Sequence, residues 1–454
     1  MVRVLIPSGA LGLGWDKAAL ARGIAAGPDL IAIDGGSTDS GPSYLGRGVS
    51  KYARAATLAE WQALLAARAE AGVPLVIGSA GTCGADSAVD WMVDITREAL
   101  TALGQSARIA VLKSGQSPAR VAGALAAGRV HALDPAPAID ADLLHECTNI
   151  VALAGAEQIA EALETGAEII IAGRTTDTAI IAALPIMRGI DPGLAWHGAK
   201  IGECGALCAT RPQTGVLMVE YGADAFTVTP LAEGARATPH TVSAHMLYEN
   251  SDPERLTEPG GVLDVSAARY EAADERRVRV SGGRWQPDPA YKVKLEGARR
   301  AGFQTILLSL VRDARYVANI REWCADIEAK ARAKIAARMG ADPADRIELR
   351  RIGLDATLGG LETRAGDPAE VGVLAIVTAR DQARATDIAR LLNPWLLHHP
   401  LTEEEEQPTF AFPFSPPEIE RGAAWEFCLN HVMELDDPMA AFSLEVLEHA
   451  HAPA

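Results

Sequence analysis

Residues 30–42 read LIAIDGGSTDSGP, and the reading of this stretch decides the fold. A short run rich in Ile and Leu ends at Asp34, too brief for a buried helix and suited to a strand covered on both faces. Gly35 and Gly36 stop the strand, and Ser37, Thr38, Asp39 and Ser40 follow before Gly41 and Pro42. A buried strand that runs into small hydrogen-bonding groups predicts a ligand-facing loop at the carboxyl end of that strand.

Working outward, the same rhythm recurs. Short apolar runs stand at Val2–Pro7, Leu75–Gly78, Ile109–Leu112, Ile150–Leu153, Ile169–Ala172 and Val216–Glu220. Ala- and Leu-rich stretches such as Leu58–Ala71, Trp91–Leu103 and Ala156–Glu164 separate most of them and read as helices. Strand alternating with helix predicts an α/β fold: a mainly parallel, Rossmann-like layered N-terminal domain over residues 1–225. From Phe226 onward turns and alternating segments dominate, so a second, α+β domain is expected over residues 226–454. There, residues 276–286 (RRVRVSGGRWQ) read as a hairpin on a Gly-Gly turn. Tyr316–Met339 reads as a long helix, and residues 425–435 (WEFCLNHVMEL) as another. The Pro- and Phe-rich loop 398–420 opens on a His pair and an acidic run, and is expected to pack on another surface, such as a subunit contact in a homo-oligomer.

Composition narrows the function. At 454 residues the chain exceeds one ordinary core. A formal charge of −17 argues against a nucleic-acid partner, which calls for clustered Lys and Arg. The six cysteines are scattered rather than arranged as a disulfide framework. No stretch reaches the roughly 18 apolar residues of a membrane span, and the first residues lack signal-peptide regions, so a cytoplasmic, reduced protein with no membrane partner is expected.

In open parallel sheets, ligands bind beyond the carboxyl ends of the strands. Five such ends are polar and rich in glycine: residues 8–14 (SGALGLG), 34–42 (DGGSTDSGP), 78–86 (GSAGTCGAD), 113–116 (KSGQ) and 172–179 (AGRTTDTA). Gly36, Ser37, Thr38, Ser79 and Thr82 are the candidate substrate-binding groups, with Arg174 suited to bidentate contact with a carboxylate or phosphate. Arg174 could instead pair with Asp177 and hold its loop. Asp39, Asp177 and Glu203 are candidate acid/base residues, and Cys83, in a glycine loop at a helix start, a candidate nucleophile or acid. Asp34 and Asp39 flank the Gly-Gly-Ser-Thr turn and could hold a divalent metal; an Asx turn is the plainer alternative.

Residues 197–210 (HGAKIGECGALCAT) gather His197, Lys200, Glu203, Cys204 and Cys208, without the second Cys/His pair that a zinc motif needs. His245 and Glu249 would share a helix face. Lys292, Lys294 and Glu296 alternate along one strand, where Lys294 could close over an anionic substrate. The Gly9–Gly14 turn departs from the G-x-G-x-x-G spacing, so an NAD(P) site there is the weaker cofactor alternative.

Several blocks together resemble the acyclic terpene utilisation AtuA-like family: GWDKAALARGI, IAIDGGSTDSGPSYLG, PLVIGSAGTCG, GAEIIIAGRTTDTA, ECGALCA, HMLYENSDPERLTEPGG and YKVKLEGA, spanning Gly14 to Ala298. The resemblance implies bacterial breakdown of acyclic terpenoids through CoA thioesters. Together with the loops, it leads to the expectation of a cytosolic catabolic enzyme acting on a small carboxylate or its CoA thioester, by lyase, hydratase or isomerase chemistry. An NAD(P)-dependent oxidoreductase and a non-catalytic subunit or ligand-binding partner of a catabolic complex are the alternatives.

Overall fold

The computed structural model describes residues 1–364 and 366–451; residues 452–454, at the end of the expected second domain, lie outside the described residues. The chain divides into two compact units, one of Met1–Arg299 with Phe427–Ala454 and one of Arg300–Glu426. The division thus falls far from the expected 225/226 boundary. The change of texture at Phe226 marks antiparallel strands added to the first unit's own sheet, not the start of a new domain.

That sheet is built around strands β1 (Val2–Ile6), β2 (Leu30–Asp34), β3 (Leu75–Gly78) and β4 (Ala107–Lys113). After β5 (Val130–Ala132) and β6 (Cys147–Ala152) come β7 (Ile169–Ala172), β8 (Leu217–Tyr221) and β9 (Phe226–Pro230). The order β1-β2-β3-β7-β4 is parallel throughout. Antiparallel strands flank this block on both sides: β8, β9, Val278–Ser281 and Arg269–Ala272 beyond β1, and Ser443–His449 beyond β4. The sheet is therefore mixed, parallel only at its centre.

Successive side chains of a strand point to opposite faces, and here each face meets its own core. Val4, Ile6, Leu30, Ala32, Val76 and Ile170 join one apolar cluster with helices Ala156–Glu164, Ala179–Met187 and Pro192–Gly202. Leu5, Ile31, Ile33, Ile77 and Ile171 join another with helices Arg54–Ala71 and Asp86–Leu103, including the fully buried Trp61. Two-sided burial is why these strands read as unbroken apolar runs.

Three sequence expectations are corrected. β6 leaves the parallel sheet and pairs antiparallel with Leu295–Arg299. Residues 276–286 form no hairpin: Val278–Ser281 pairs with β9, whereas Arg284–Pro287 pairs with Gly261–Asp264. Residues 425–435 are strand, part of Ile419–Leu435, because Leu429, His431, Met433 and Leu435 are buried alternately. A polar residue, His431, in the inward row hides that period in the sequence.

In the second unit, Phe303–Val311 pairs with Val371–Ala379, which pairs with Arg346–Ile352. Helices Ile320–Met339 and Gln382–His398 pack on them around Trp323, Ile327, Val373, Ile388 and Leu392. Phe410 of the Pro/Phe-rich loop lies edge-on to Tyr316 and Trp323, with ring centroids 4.9 and 5.3 Å away, so this part of the loop packs on its own unit. No helix among the described residues is long and apolar enough to cross a membrane.

Candidate active site

Parallel strands place all their carboxyl ends on one edge, so the loops after β1, β2, β3, β7 and β4 converge there. A cavity of about 780 Å³ opens among the first four of them, and the expected β4 loop, residues 113–116, contributes nothing to its lining. The β1 loop gives it Ser8, Gly9, Ala10, Leu13 and Gly14; the β2 loop gives Asp34, Gly36, Ser37 and Asp39. Thr82 comes from the β3 loop and Asp177 from the β7 loop. Lys51 and Tyr52, the turn around Cys204–Gly215, and Tyr248 with Glu249 complete the lining.

Backbone strain concentrates at this cavity. Among the described residues, the non-glycine residues at positive φ are Ser79, Thr82, Arg211 and Glu249. Thr82 and Glu249 line the cavity, and Arg211 precedes its lining residue Pro212. Such conformations cost about 1–3 kcal/mol each and persist where a site needs them. Glycine serves close approach as well: a Cβ on Gly35 would lie 2.4 Å from the Ser79 carbonyl oxygen.

Asp34 and Asp177 are two carboxyls that line the same cavity. Burial holds the Asp34 carboxyl well above the usual carboxylate range, and the charge of Asp177 adds to this. One Asp34 oxygen accepts the Gly36 N–H at 2.7 Å, while Oδ1 is buried without a hydrogen-bond partner. Burial raises Asp177 too, against the opposing pull of the Arg174 guanidinium. Two carboxyls in one poorly solvated site do not both ionise readily, so the pair retains a proton that an exposed pair would have lost.

Arg174 does not reach out for a ligand. Its Nε and Nη2 donate to the two oxygens of Glu296 at 3.1 and 3.2 Å, and Nη1 donates to Ser79 Oγ at 2.9 Å. Thr38 Oγ1 donates to the same Glu296 at 3.1 Å. Arg174, Thr38, Ser79 and Glu296 thus form one buried network, and Glu296, not Asp177, is the partner of Arg174. Lys294 stands at the rim of this network, half-exposed and 3.9 Å from Glu296.

The other predicted residues separate clearly. Cys83 is fully buried, its thiol raised by burial and directed at the Val49 carbonyl, which does not make a nucleophile. Asp39 is exposed at the rim, and the Ser37 hydroxyl holds its carboxyl below the ordinary value. Glu203 is buried in an ion pair with Lys200; burial pushes it up to about 8, with Asp177 and Glu258 adding and Lys200 opposing. His197 is a core residue, edge-on to Phe226 and bonded to the Tyr270 hydroxyl at 3.1 Å. His245 and Glu249 do not share a helix face, because the single turn His245–Leu247 ends before Glu249 turns left-handed at φ 57°.

The Gly9–Gly14 turn is already supplied with an anion from within. Glu60 accepts the Gly12 N–H at 2.6 Å, and Asp16 caps the following helix by accepting the Ala19 N–H at 2.8 Å. A dinucleotide phosphate placed there would meet two carboxylates. The sequence reading missed Tyr52, Glu60 and Glu258. Tyr52 had no local signal, because its ring packs on the distant Gly12, where an added Cβ would lie 2.7 Å from it. Glu258, raised by burial to about 7 and accepting the Thr178 hydroxyl at 2.6 Å, had none.

A family model described as "Acyclic terpene utilisation family protein AtuA" matches residues 46–188 and 217–409. The match takes in GRTTDTA and HMLYENSDPERLTEPGG, while DGGSTDSGP and ECGALCA fall outside the matched segments. No curated protein and no solved structure matches the chain.

Proposed function

The chain belongs to the acyclic terpene utilisation AtuA family, and on that premise we propose that it is a cytosolic catabolic enzyme acting on an acyl thioester by acid/base chemistry of the lyase, hydratase or isomerase type. The family implies a role in acyclic terpene utilisation. The observation that carries the finer reading is the Asp34–Asp177 pair, two carboxyls raised by burial on the lining of one cavity. Such a pair can hold a proton on one carboxyl and offer a base on the other, which is what proton abstraction and return beside a carbonyl require.

The lining favours a thioester over a free carboxylate. Its carboxylates Asp34, Asp39, Asp177 and Glu249 face a single cation, Lys51, and Arg174 is committed to Glu296. A free carboxylate would be repelled, whereas a neutral thioester carbonyl would not. Ala10, Leu13, Tyr52, Leu207 and Tyr248 offer apolar surface for a hydrocarbon chain. The oxidoreductase alternative is weakened by Glu60 and Asp16 at the glycine turn.

A panel of acyclic acyl-CoA thioesters assayed for hydration, isomerisation and cleavage tests this reading. Asp34→Asn and Asp177→Asn should each lower kcat by about 10²–10⁴ with the fold intact. Wild-type turnover in both variants would sink it.

A further inference from the structure

We propose that Glu203, Cys204 and His245 form a binding site for a divalent cation of the zinc class, open to the cavity on the side of Cys204. The three side chains come from two places in the chain: the turn that ends helix Pro192–Gly202, and the single turn His245–Leu247. One carboxylate oxygen, the thiol sulfur and an imidazole nitrogen all lie within 4.8 Å of one another. Ligands held about 2.0–2.3 Å from a tetrahedral ion stand about 3.3–3.8 Å apart, so rotamer movements of about an ångström would close the site.

An independent feature points to a missing partner. His245 is 5 % exposed, and its Nε2 is buried with no hydrogen-bond partner. Its ring is held by stacking on Tyr248, with centroids 5.5 Å apart and planes 12° from parallel. An oriented imidazole with an unsatisfied buried nitrogen is what a metal ligand needs. Asp177 and Glu258 add negative charge near Glu203, whose carboxylate already holds the Lys200 ammonium in an ion pair, so a metal ion would share that carboxylate with it.

The donor set selects the metal. A thiolate with an imidazole suits zinc, whereas magnesium and calcium prefer an all-oxygen shell. Three protein ligands leave a fourth position, and Cys204 lines the cavity from which a water or substrate oxygen could fill it. Binding would expel the thiol proton to solvent and leave a thiolate on the metal.

The site stands or falls separately from the Asp34–Asp177 reading, because its test needs no turnover. The full-length chain, stripped with a chelator, is titrated with Zn²⁺ against a chromogenic competitor, and with Co²⁺ by absorbance. One equivalent of Zn²⁺ should bind, and Co²⁺ should show a thiolate charge-transfer band. Cys204→Ser should abolish that band and weaken Zn²⁺ binding at least about tenfold, as should His245→Ala. Cys208→Ser, a buried thiol outside the trio, should bind as wild type. Circular dichroism verifies folding, and the near-isosteric Cys204→Ser decides the matter if His245→Ala does not fold. Failure to bind a stoichiometric ion, or equal affinity and an unchanged spectrum in Cys204→Ser, overturns the proposal.

Discussion

His197 carries the consequences of burial that a sequence conceals. It sits in a segment crowded with reactive residue types, yet it is fully buried, and burial drives its imidazole down to about 3 from an ordinary 6.5. The folded state therefore keeps His197 neutral where the unfolded chain protonates it. The stabilising contribution is complete above pH 6.5 and is lost as pH falls toward 3, at roughly 1.4 kcal/mol per pH unit from this group. Denaturant unfolding of wild type and His197→Gln at pH 7 and pH 5 measures it. The variant should be less stable at pH 7 and lose less between the two values; equal losses would remove the assignment. At this scale the sequence was informative about identity and poor about environment. Asp34 and Asp177 announce themselves as strand-end polar residues, because the apolar runs before them fix where the strands stop. Whether one carboxylate lies near another, as Asp177 does near Asp34, depends on contacts between distant loops, which no local spacing encodes.

The pairing of Arg174 with Glu296 joins the loop after β7 to the strand Tyr291–Val311 across 122 residues of sequence. Both side chains are under 10 % exposed, so each needs the other more than it would in water. Glu296→Ala should leave a buried guanidinium uncompensated and cost about 3–5 kcal/mol, whereas Arg174→Met with Glu296→Leu should recover much of that loss. Thermal unfolding of the single and double variants measures this, and a double variant no better than the single would contradict a structural pairing. The same pair shows the limit of reading elements from sequence. Strand existence was legible because apolar runs of four to six residues have few alternatives. Partnership was not: β6 has the composition of the parallel strands but pairs antiparallel with Leu295–Arg299. Residues 425–435 were harder still, since His431 interrupts the alternation that would have separated strand from helix.

The first unit is discontinuous in the chain: Phe427–Ala454 returns to it after Arg300–Glu426 has formed the second unit. Its returning strand Ser443–His449 pairs with β4 along all seven residues and covers what would otherwise be a bare edge of the central sheet. A chain ending at Phe442 should therefore self-associate through β4. Light scattering at increasing protein concentration tests this, and a monodisperse truncated chain would show the edge to be protected otherwise. The order of synthesis gives that covering strand a further meaning. Residues up to Arg299 leave the ribosome more than a hundred residues before Ser443 does, a delay of about 7–30 s at ordinary elongation rates. Throughout that interval the nascent sheet carries an unpaired β4, so slower elongation lengthens the time for which that edge is open to another chain.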